Sequence, residues 1–525
     1  MLRHIFTAHK NNLDMLCKVY CACCNGLDAT TVTIEVEVTD GIQFFLVGLP
    51  DSAVKESQQR IGSALNHYGF RIPGKKIVIN MAPANIHKTG SSFDAAIAIG
   101  IICASEQLSV DCLKDFFIMG ELALDGTLRP VQGALPIIIH AQQQGFKGCI
   151  LPMASAMEGA EIDGITVFGA DNIGDIIEIL RSPELAANKV VKISPDGDYP
   201  SGEIKKFDYD FEDVKGQETA KRGLEIAAAG GHNVLMVGSP GCGKTFMAKC
   251  IPSILPPMEK EEAIETSKIY SIAGQLDATN GLMRARPFRA PHHTITVPAL
   301  VGGGASGIPG EISLAHNGVL FADEFAEFSR QSIDVLRQPL EDGVIQVSRV
   351  KTKYVYPARF MFVAAMNPCP CGYIYDEPGK CTCSSSSIMR YRGRISGPVY
   401  DRIDIHLNVR QVKSNEIVSG AQSEPSEKIA ARVLAAREIQ FERYKSEQFF
   451  TNAQIPPSKL NYYCGLSDKE QLYLRKIIQQ LKISARGYSR ILKIARTIAD
   501  LQKERNISIE HISAAIQFRC NDRLE

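Results

Sequence analysis

Asn233-Val-Leu-Met-Val237, then Gly238-Ser-Pro-Gly-Cys-Gly-Lys-Thr245, then Phe246-Met-Ala-Lys-Cys-Ile251 is the stretch that decides the fold. An apolar run of strand length leads into G-S-P-G-C-G-K-T, and a helix-forming run leads out. That is the strand–GxxxxGK[ST]–helix arrangement of a phosphate-binding loop. Across Gly238, Ser239, Pro240, Gly241, Cys242 and Gly243, the glycines let backbone N–H groups curl around an anion. The helix N-terminus adds partial positive charge. Lys244 is expected to reach the β/γ-phosphates and Thr245 to hold Mg²⁺. The expected cofactors are therefore a nucleoside triphosphate, ATP or GTP, and Mg²⁺. The alternative, a chance glycine turn, is disfavoured by the flanks.

Working outward, Val319-Leu-Phe-Ala-Asp-Glu324 is a second strand that ends in acids. Two carboxylates at the C-terminal end of a buried strand are what a Mg²⁺ site in an open α/β sheet needs. Asp323 is expected to bind the metal through water, and Glu324 to polarise the attacking water; the alternative is an ordinary strand end with solvated acids. Phe360-Met-Phe-Val-Ala-Ala-Met366 ends at Asn367, whose side chain can orient water beside the γ-phosphate. This third element suggests an AAA+ motor rather than a small GTPase, and Asp213-Val-Lys-Gly-Gln217 resembles the adenine-cradling segment of that superfamily. Arg402, in Tyr400-Asp-Arg-Ile-Asp404, stands where ring ATPases place an arginine that reaches the neighbouring subunit's γ-phosphate. A surface ion pair with Asp401 or Asp404 is the alternative. Arg486, in the first turn of a helix capped by Ser484, is the γ-phosphate contact preferred over Arg490.

The 525 residues allow three to four domains, with 45% hydrophobic and 22% charged residues and zero formal net charge. A nucleic-acid partner therefore needs a local basic patch. No run reaches the ~18 apolar residues of a membrane helix. Ala95 to Ala104 reads as a buried helix. The chain is expected to be cytoplasmic, with no membrane partner, and its 15 cysteines to be thiols or metal ligands rather than a disulfide framework.

Residues 15–180 alternate strand and helix signals. Thr31 to Val38 has period two, Lys75 to Asn80 is a second strand, and Ala53 to Tyr68 has helical spacing. Residues 181–206, dense in turn formers, are expected to be a linker. Residues 207–410 form the nucleotide-binding core. Residues 411–525 are expected to be helical, with a capping box at Ser467/Glu470 and one apolar face carrying Ile491, Ile494, Ala495, Ile498 and Ala499.

Arg286-Pro-Phe-Arg-Ala-Pro-His-His293 and Pro309-Gly-Glu-Ile-Ser-Leu-Ala-His-Asn-Gly-Val-Leu320 resemble the magnesium-chelatase-like AAA+ proteins. Within them, the chain resembles the competence protein ComM (YifB) family from about Met15 to Phe518. The resemblance implies an α/β architecture: an N-terminal Lon-protease-like (ribosomal S5-like) α+β domain, a parallel-sheet AAA+ core and a C-terminal helical lid. It also implies a ring, a hexamer, and ATP-driven branch migration of DNA in recombination during natural transformation. Met15-Leu-Cys-Lys-Val19 matches the family's usual start, so residues 1–14 are expected to be an upstream extension or a misplaced start. A chelatase-type or chaperone-type motor that remodels a protein partner is the alternative reading; the Lon-like domain favours the ComM side.

Lys88-Thr-Gly-Ser-Ser-Phe-Asp94 resembles the segment that carries the Lon nucleophile, with Ser92 at the serine position. Leu135 stands where Lon proteases place the lysine base. An aliphatic side chain cannot accept a proton, so this domain is expected to be an inactive protease. Val344 to Tyr356 reads as a hairpin with Arg349, Lys351 and Lys353 near its tip, and the family context implies contact with DNA phosphates in a central pore. A solvated edge hairpin is the alternative. Leu300 to Gly307, rich in glycine, is a weaker second pore loop. Cys369, Cys371, Cys381 and Cys383 form C-x-C-x9-C-x-C, a set that can close a structural zinc site, against reduced thiols in a loop. The knuckle would anchor the basic stretch Arg390-Tyr-Arg-Gly-Arg394. His292 and His293 read as loop contacts, and Cys17, Cys21, Cys23 and Cys24 as thiols on a strand start.

Overall fold

The computed structural model describes residues 16–88, 90–192, 207–277, 281–303, 307–348, 353–376, 380–412 and 423–519. Two compact units share the chain: Met1–Ser201 with Ser267–Met283, and Gly202–Thr266 with Arg284–Glu525. One stretch of the expected nucleotide-binding core, Ser267–Met283, thus clusters with the first unit.

The first unit is built on β1 (Leu16–Asn25), β2 (Asp28–Thr39), β3 (Phe44–Val47), β4 (Lys76–Ala82), β5 (Phe116–Ile118), β8 (Gly148–Pro152) and β9 (Thr166–Ala170), with β6 (Glu121–Leu122) and β7 (Leu128–Arg129) as a small separate hairpin. The seven-stranded mixed sheet runs β3-β4-β2-β1-β5-β8-β9. β1 and β2 are joined through Gly26-Leu27, and Gly26 takes φ 68°, as tight two-residue hairpins require. Along β2 the residues Val32, Ile34, Val36 and Val38 are buried, and the intervening Thr33, Glu35 and Glu37 are not. Period two in the sequence therefore becomes one core-facing side. The helix Asp94–Ala104 is buried along almost its whole length. A Cβ on Gly100 would come within 2.7 Å of Val36 Cγ2, so glycine sets how closely this helix lies on the sheet. The expected helix over 53–68 is broken at Glu56 into Ser52–Lys55 and Ser57–His67.

The second unit holds β10 (Val234–Gly238), β11 (Phe288–Arg289), the hairpin β12–β13 (Gly302–Gly303, Ile308–Pro309), β14 (Val319–Ala322), the hairpin β15–β16 (Val344–Ser348, Lys353–Pro357), β17 (Met361–Met366) and β18 (Ile405–Val409). Five of these form an all-parallel sheet in the order β11-β14-β17-β10-β18. β10, β14 and β17 are buried at every position, as strands covered on both faces must be. Because the strands are parallel, the residues that follow each one emerge at the same edge. Asn233 ties three strands together. Its N–H donates to Asp404 Oδ2 at 3.0 Å, its Nδ2 to Arg402 O at 3.0 Å, and its Oδ1 accepts from Phe362 N at 2.9 Å.

The C-terminal region is helical: Ser426–Tyr444, Asp468–Leu481, Ala485–Leu501 and Ile509–Gln517. Ile491, Ile494, Ala495, Ile498 and Ala499 all face the core. Ser484 caps its helix, accepting from Gly487 N at 3.1 Å. At Ser467 the expected capping box is not formed in full: its hydroxyl donates to the Glu470 carboxylate instead of accepting from the helix backbone. A reciprocal box forms at Ser508 and His511. Among the described residues, no helix is long and apolar enough to cross a membrane.

Candidate active site

The loop after β10 needs its glycines for two different reasons. Gly241 and Gly243 take φ 76° and 92°, and a Cβ on either would meet nothing within 4 Å. The requirement there is backbone conformation, and the loop faces open space that a ligand can fill. At Gly238 the requirement is close approach, since a Cβ would collide with the Val409 carbonyl of β18.

Lys244 opens the helix Lys244–Cys250 and is 9% exposed. Its Nζ donates to Gly238 O at 2.7 Å and Ser239 O at 3.0 Å, and lies 3.2 Å from Asn367 Oδ1 at the end of β17. A buried ammonium must be paired. Here its partners are neutral oxygens, which an incoming phosphate outcompetes electrostatically. Next along, the Thr245 hydroxyl donates to Asp323 Oδ2 at 2.7 Å, and Asp323 Oδ1 accepts from Glu324 N at 3.0 Å. Two hard oxygen donors side by side suit Mg²⁺. Glu324 is 57% exposed, takes φ 50°, and its Oε2 lies 3.3 Å from His293 Nδ1. The fold thus brings together Lys244, Thr245, Asp323, Glu324 and Asn367 from three adjacent parallel strands. These residues fit a magnesium–nucleotide triphosphate: the donor set is hard oxygen, the cation is buried, and the glycine loop opens onto free space.

The arginines are placed differently. Arg402 is 8% exposed. Its Nη1 donates to Pro398 O at 2.6 Å, its other terminal nitrogen pairs with Glu341, and Nε is buried with no partner. The hydrogen bond from Arg402 holds the Glu341 carboxyl below its usual range. Its carboxylate partner is thus Glu341, not Asp401 or Asp404. Arg486 is 63% exposed with Asp401 at 3.4 Å. Arg490 is half-buried against Asp404, and desolvation pulls its guanidinium down to about 10. Of the two, Arg486 is the more exposed.

In the hairpin β15–β16, Lys353 is exposed at the start of its second strand, whereas Arg349 and Lys351 lie outside the described residues. Residues 304–306 of the glycine-rich stretch do so too. Arg394 of the basic stretch donates to Glu327 Oε2 at 2.5 Å and Ala326 O at 3.1 Å, which ties it to the turn after β14.

Cys369, Cys371, Cys381 and Cys383 converge with all four sulfurs within 4.8 Å of one another. A hydrogen bond from Tyr373 N–H pulls the Cys371 thiol down to about 6. In the first unit, Leu135 is fully buried and its N–H donates to Glu158 Oε2 at 3.0 Å.

Two contacts escape sequence reasoning. His293 faces Glu324 although it lies 31 residues earlier on another loop, and the adjacent-histidine pattern carries no signal for that pairing. The Ser239 hydroxyl donates to Asp376 Oδ1 at 2.5 Å, across 137 residues.

Three family descriptions match the chain: "Magnesium chelatase, subunit ChlI" over residues 210–417, "Subunit ChlI of Mg-chelatase" over 34–155, and "Magnesium chelatase, subunit ChlI C-terminal" over 423–519. Competence protein ComM of Haemophilus influenzae is 43% identical over 511 residues, covering 96% of this chain and 98% of its own length. YifB of Escherichia coli is 40% identical over 505 residues, covering 95% and 96%. Lon protease 2 of Bacillus subtilis is 31% identical over 134 residues, covering 25% and 24%.

Proposed function

The chain belongs to the ComM/YifB family of magnesium-chelatase-like AAA+ proteins, and on that premise we propose that it is a ring-forming ATPase that drives DNA branch migration in recombination. The observation that carries the ATPase part is the meeting of Lys244, Thr245, Asp323, Glu324 and Asn367 at one edge of a parallel sheet. Lys244 releases its loop carbonyls to neutralise the β/γ-phosphate oxygens. Thr245 and Asp323 hold Mg²⁺, which when bound offsets charge on the phosphates. Glu324 orients a water molecule for in-line attack and takes up its proton. Asn367 positions that water beside the γ-phosphate. Little covalent chemistry is required of the protein, because positioning and charge stabilisation supply most of the rate.

Arg402 serves the neighbouring subunit's site, and reaching it requires the Glu341 pair to open. Arg486 contacts the γ-phosphate from the helical C-terminal region, which acts as the lid. The N-terminal unit is a Lon-like fold without protease activity, supported by a buried leucine, Leu135, where a lysine base belongs. Lys353, with Arg349 and Lys351, tracks DNA phosphates. The ComM relative's name places that protein in competence, and we extend the role to this chain. Zn²⁺ in the four-cysteine knuckle is the remaining cofactor.

The test is ATP turnover with and without single-stranded DNA over a salt series, paired with strand exchange on a three- or four-stranded junction. DNA should stimulate turnover, the stimulation should fade with salt as phosphate contacts are screened, and junctions should migrate to exchanged strands only with ATP. ATP turnover indifferent to DNA would favour a motor that remodels a protein partner.

A further inference from the structure

The four-cysteine knuckle lies outside the hydrolytic chemistry, yet it begins two residues after Asn367 and returns to the phosphate loop. The Sγ separations are 3.5 Å for Cys369–Cys371, 3.8 Å for Cys369–Cys381 and 3.5 Å for Cys371–Cys381. A tetrahedron of thiolates at ~2.3 Å from zinc has edges of about 3.8 Å. The free thiols already stand at nearly that spacing. Cys371 N–H points at Cys383 Sγ at 3.4 Å, an outer-shell hydrogen bond that would offset thiolate charge.

The knuckle also touches the phosphate loop at two consecutive residues. Asp376 Oδ1 accepts from Ser239 Oγ at 2.5 Å, while its other oxygen is held by Lys380 at 3.1 Å. Gly372, at φ 89°, is packed so tightly on the Pro240 ring that a Cβ would overlap it. Lys380 in turn lies 4.6 Å over the Tyr373 ring. Behind the knuckle, Arg392 Nε donates to Pro368 O at 3.1 Å and its Nη2 to Tyr375 OH at 3.3 Å.

We propose that the knuckle binds one Zn²⁺ as a structural centre, and that the loaded knuckle braces the phosphate loop by holding Ser239 and Pro240 in the nucleotide-ready form. The brace rests on the ATPase reading given above; the metal site does not. Four thiolates complete the coordination, so no position is open for chemistry. Zinc uptake displaces protons from the thiols and calls for no oxidant or reductant. A loop already held in its bound shape gives up less conformational freedom when nucleotide arrives, and so binds it more tightly. Asp376 is a positioning residue that acts through Ser239, and zinc positions Asp376.

The test uses the full chain. Metal content is read by mass spectrometry as isolated and after reloading with zinc alone. Affinity is read with a fluorescent ATP analogue and Mg²⁺. The parent should carry about one zinc per chain. Asp376→Ala should keep that zinc but bind nucleotide about tenfold more weakly, the loss expected for one charge-assisted hydrogen bond. The double variant Cys381→Ser/Cys383→Ser should lose zinc and weaken binding by at least as much. A parent that stays zinc-free after reloading, or holds iron instead, overturns the metal assignment. Asp376→Ala with parental affinity overturns the brace, and this variant leaves the cysteines intact should the double variant fail to fold. A parent that binds no nucleotide at all overturns the ATPase reading and the brace with it, while its zinc content still decides the metal site.

Discussion

Thr245 and Asp323 are 78 residues apart in the chain and hydrogen-bonded in the fold, Oγ1 to Oδ2 at 2.7 Å. Their strands, β10 and β14, are separated in the sheet by β17. The contact exists because the loop after β10 leans across the end of β17, where Asn367 meets Lys244. Asp323→Asn keeps a hydrogen-bonding group but removes the charge proposed to hold Mg²⁺. The Mg²⁺ concentration for half-maximal ATP turnover should rise about tenfold or more, read from a magnesium titration at fixed ATP.

His293 Nδ1 lies 3.3 Å from Glu324 Oε2, so an imidazole stands against the carboxylate proposed to orient water. On the proposed mechanism this contact competes with the water that Glu324 would orient, and His293 would restrain idle hydrolysis. His293→Ala should raise basal turnover about two- to fivefold and shrink stimulation by DNA, a change of under about 1 kcal/mol in barrier height. Equal turnover with and without the substitution would exclude that role.

Much of this site could be read from the chain because its signals are local. A glycine loop between a strand and a helix, or acids ending an apolar strand, each occupy fewer than about ten residues, and the backbone requirements at Gly241 and Gly243 explain why they must. Fold-level periodicity was equally legible in β2 and in the helix Ala485–Leu501. What stayed hidden depends on tertiary approach. The Glu341 partner of Arg402 comes from 61 residues upstream, nearer acids in sequence being Asp401 and Asp404. The incomplete box at Ser467 is a local contest between side chain and backbone that a pattern of residue types does not decide, and no residue type marks the break at Glu56.

Arg486 and Arg490 stand one helical turn apart with different exposure and different carboxylate partners. Arg490 is half-buried over the buried Asp404, which also accepts from Asn233 N–H, so Arg490→Ala uncovers a carboxylate at the joint of β10 and β18. It should cost about 3 kcal/mol of stability. Arg486→Ala should change stability by less than about 0.5 kcal/mol while slowing ATP turnover. Denaturation midpoints and steady-state rates on both variants separate the two roles.

Glu158 is buried in the first unit, where it accepts from the Ser271 hydroxyl at 2.5 Å and from Leu135 N–H. Desolvation raises its carboxyl to about 7 from 4.5. A carboxyl raised on folding favours the native state while it stays protonated there. Below pH ~4.5 both states are protonated and nothing is lost. Between ~4.5 and ~7 stability falls with rising pH, by about 3 kcal/mol in all, and then levels off. Glu158→Gln should abolish that slope, read as thermal midpoints from pH 4.5 to 7.5 for parent and variant.

The most direct measurement is phosphate release from ATP by the parent chain, by Lys244→Ala and by Glu324→Gln, alongside nucleotide binding by each. The parent should hydrolyse ATP with Mg²⁺. Lys244→Ala should lose both binding and turnover. Glu324→Gln should still bind ATP but turn it over about 10²- to 10³-fold more slowly, since only the water-activating group is gone. Unchanged hydrolysis in Glu324→Gln, or a parent that binds ATP and never cleaves it, would contradict the assignment of this sheet edge as the catalytic centre.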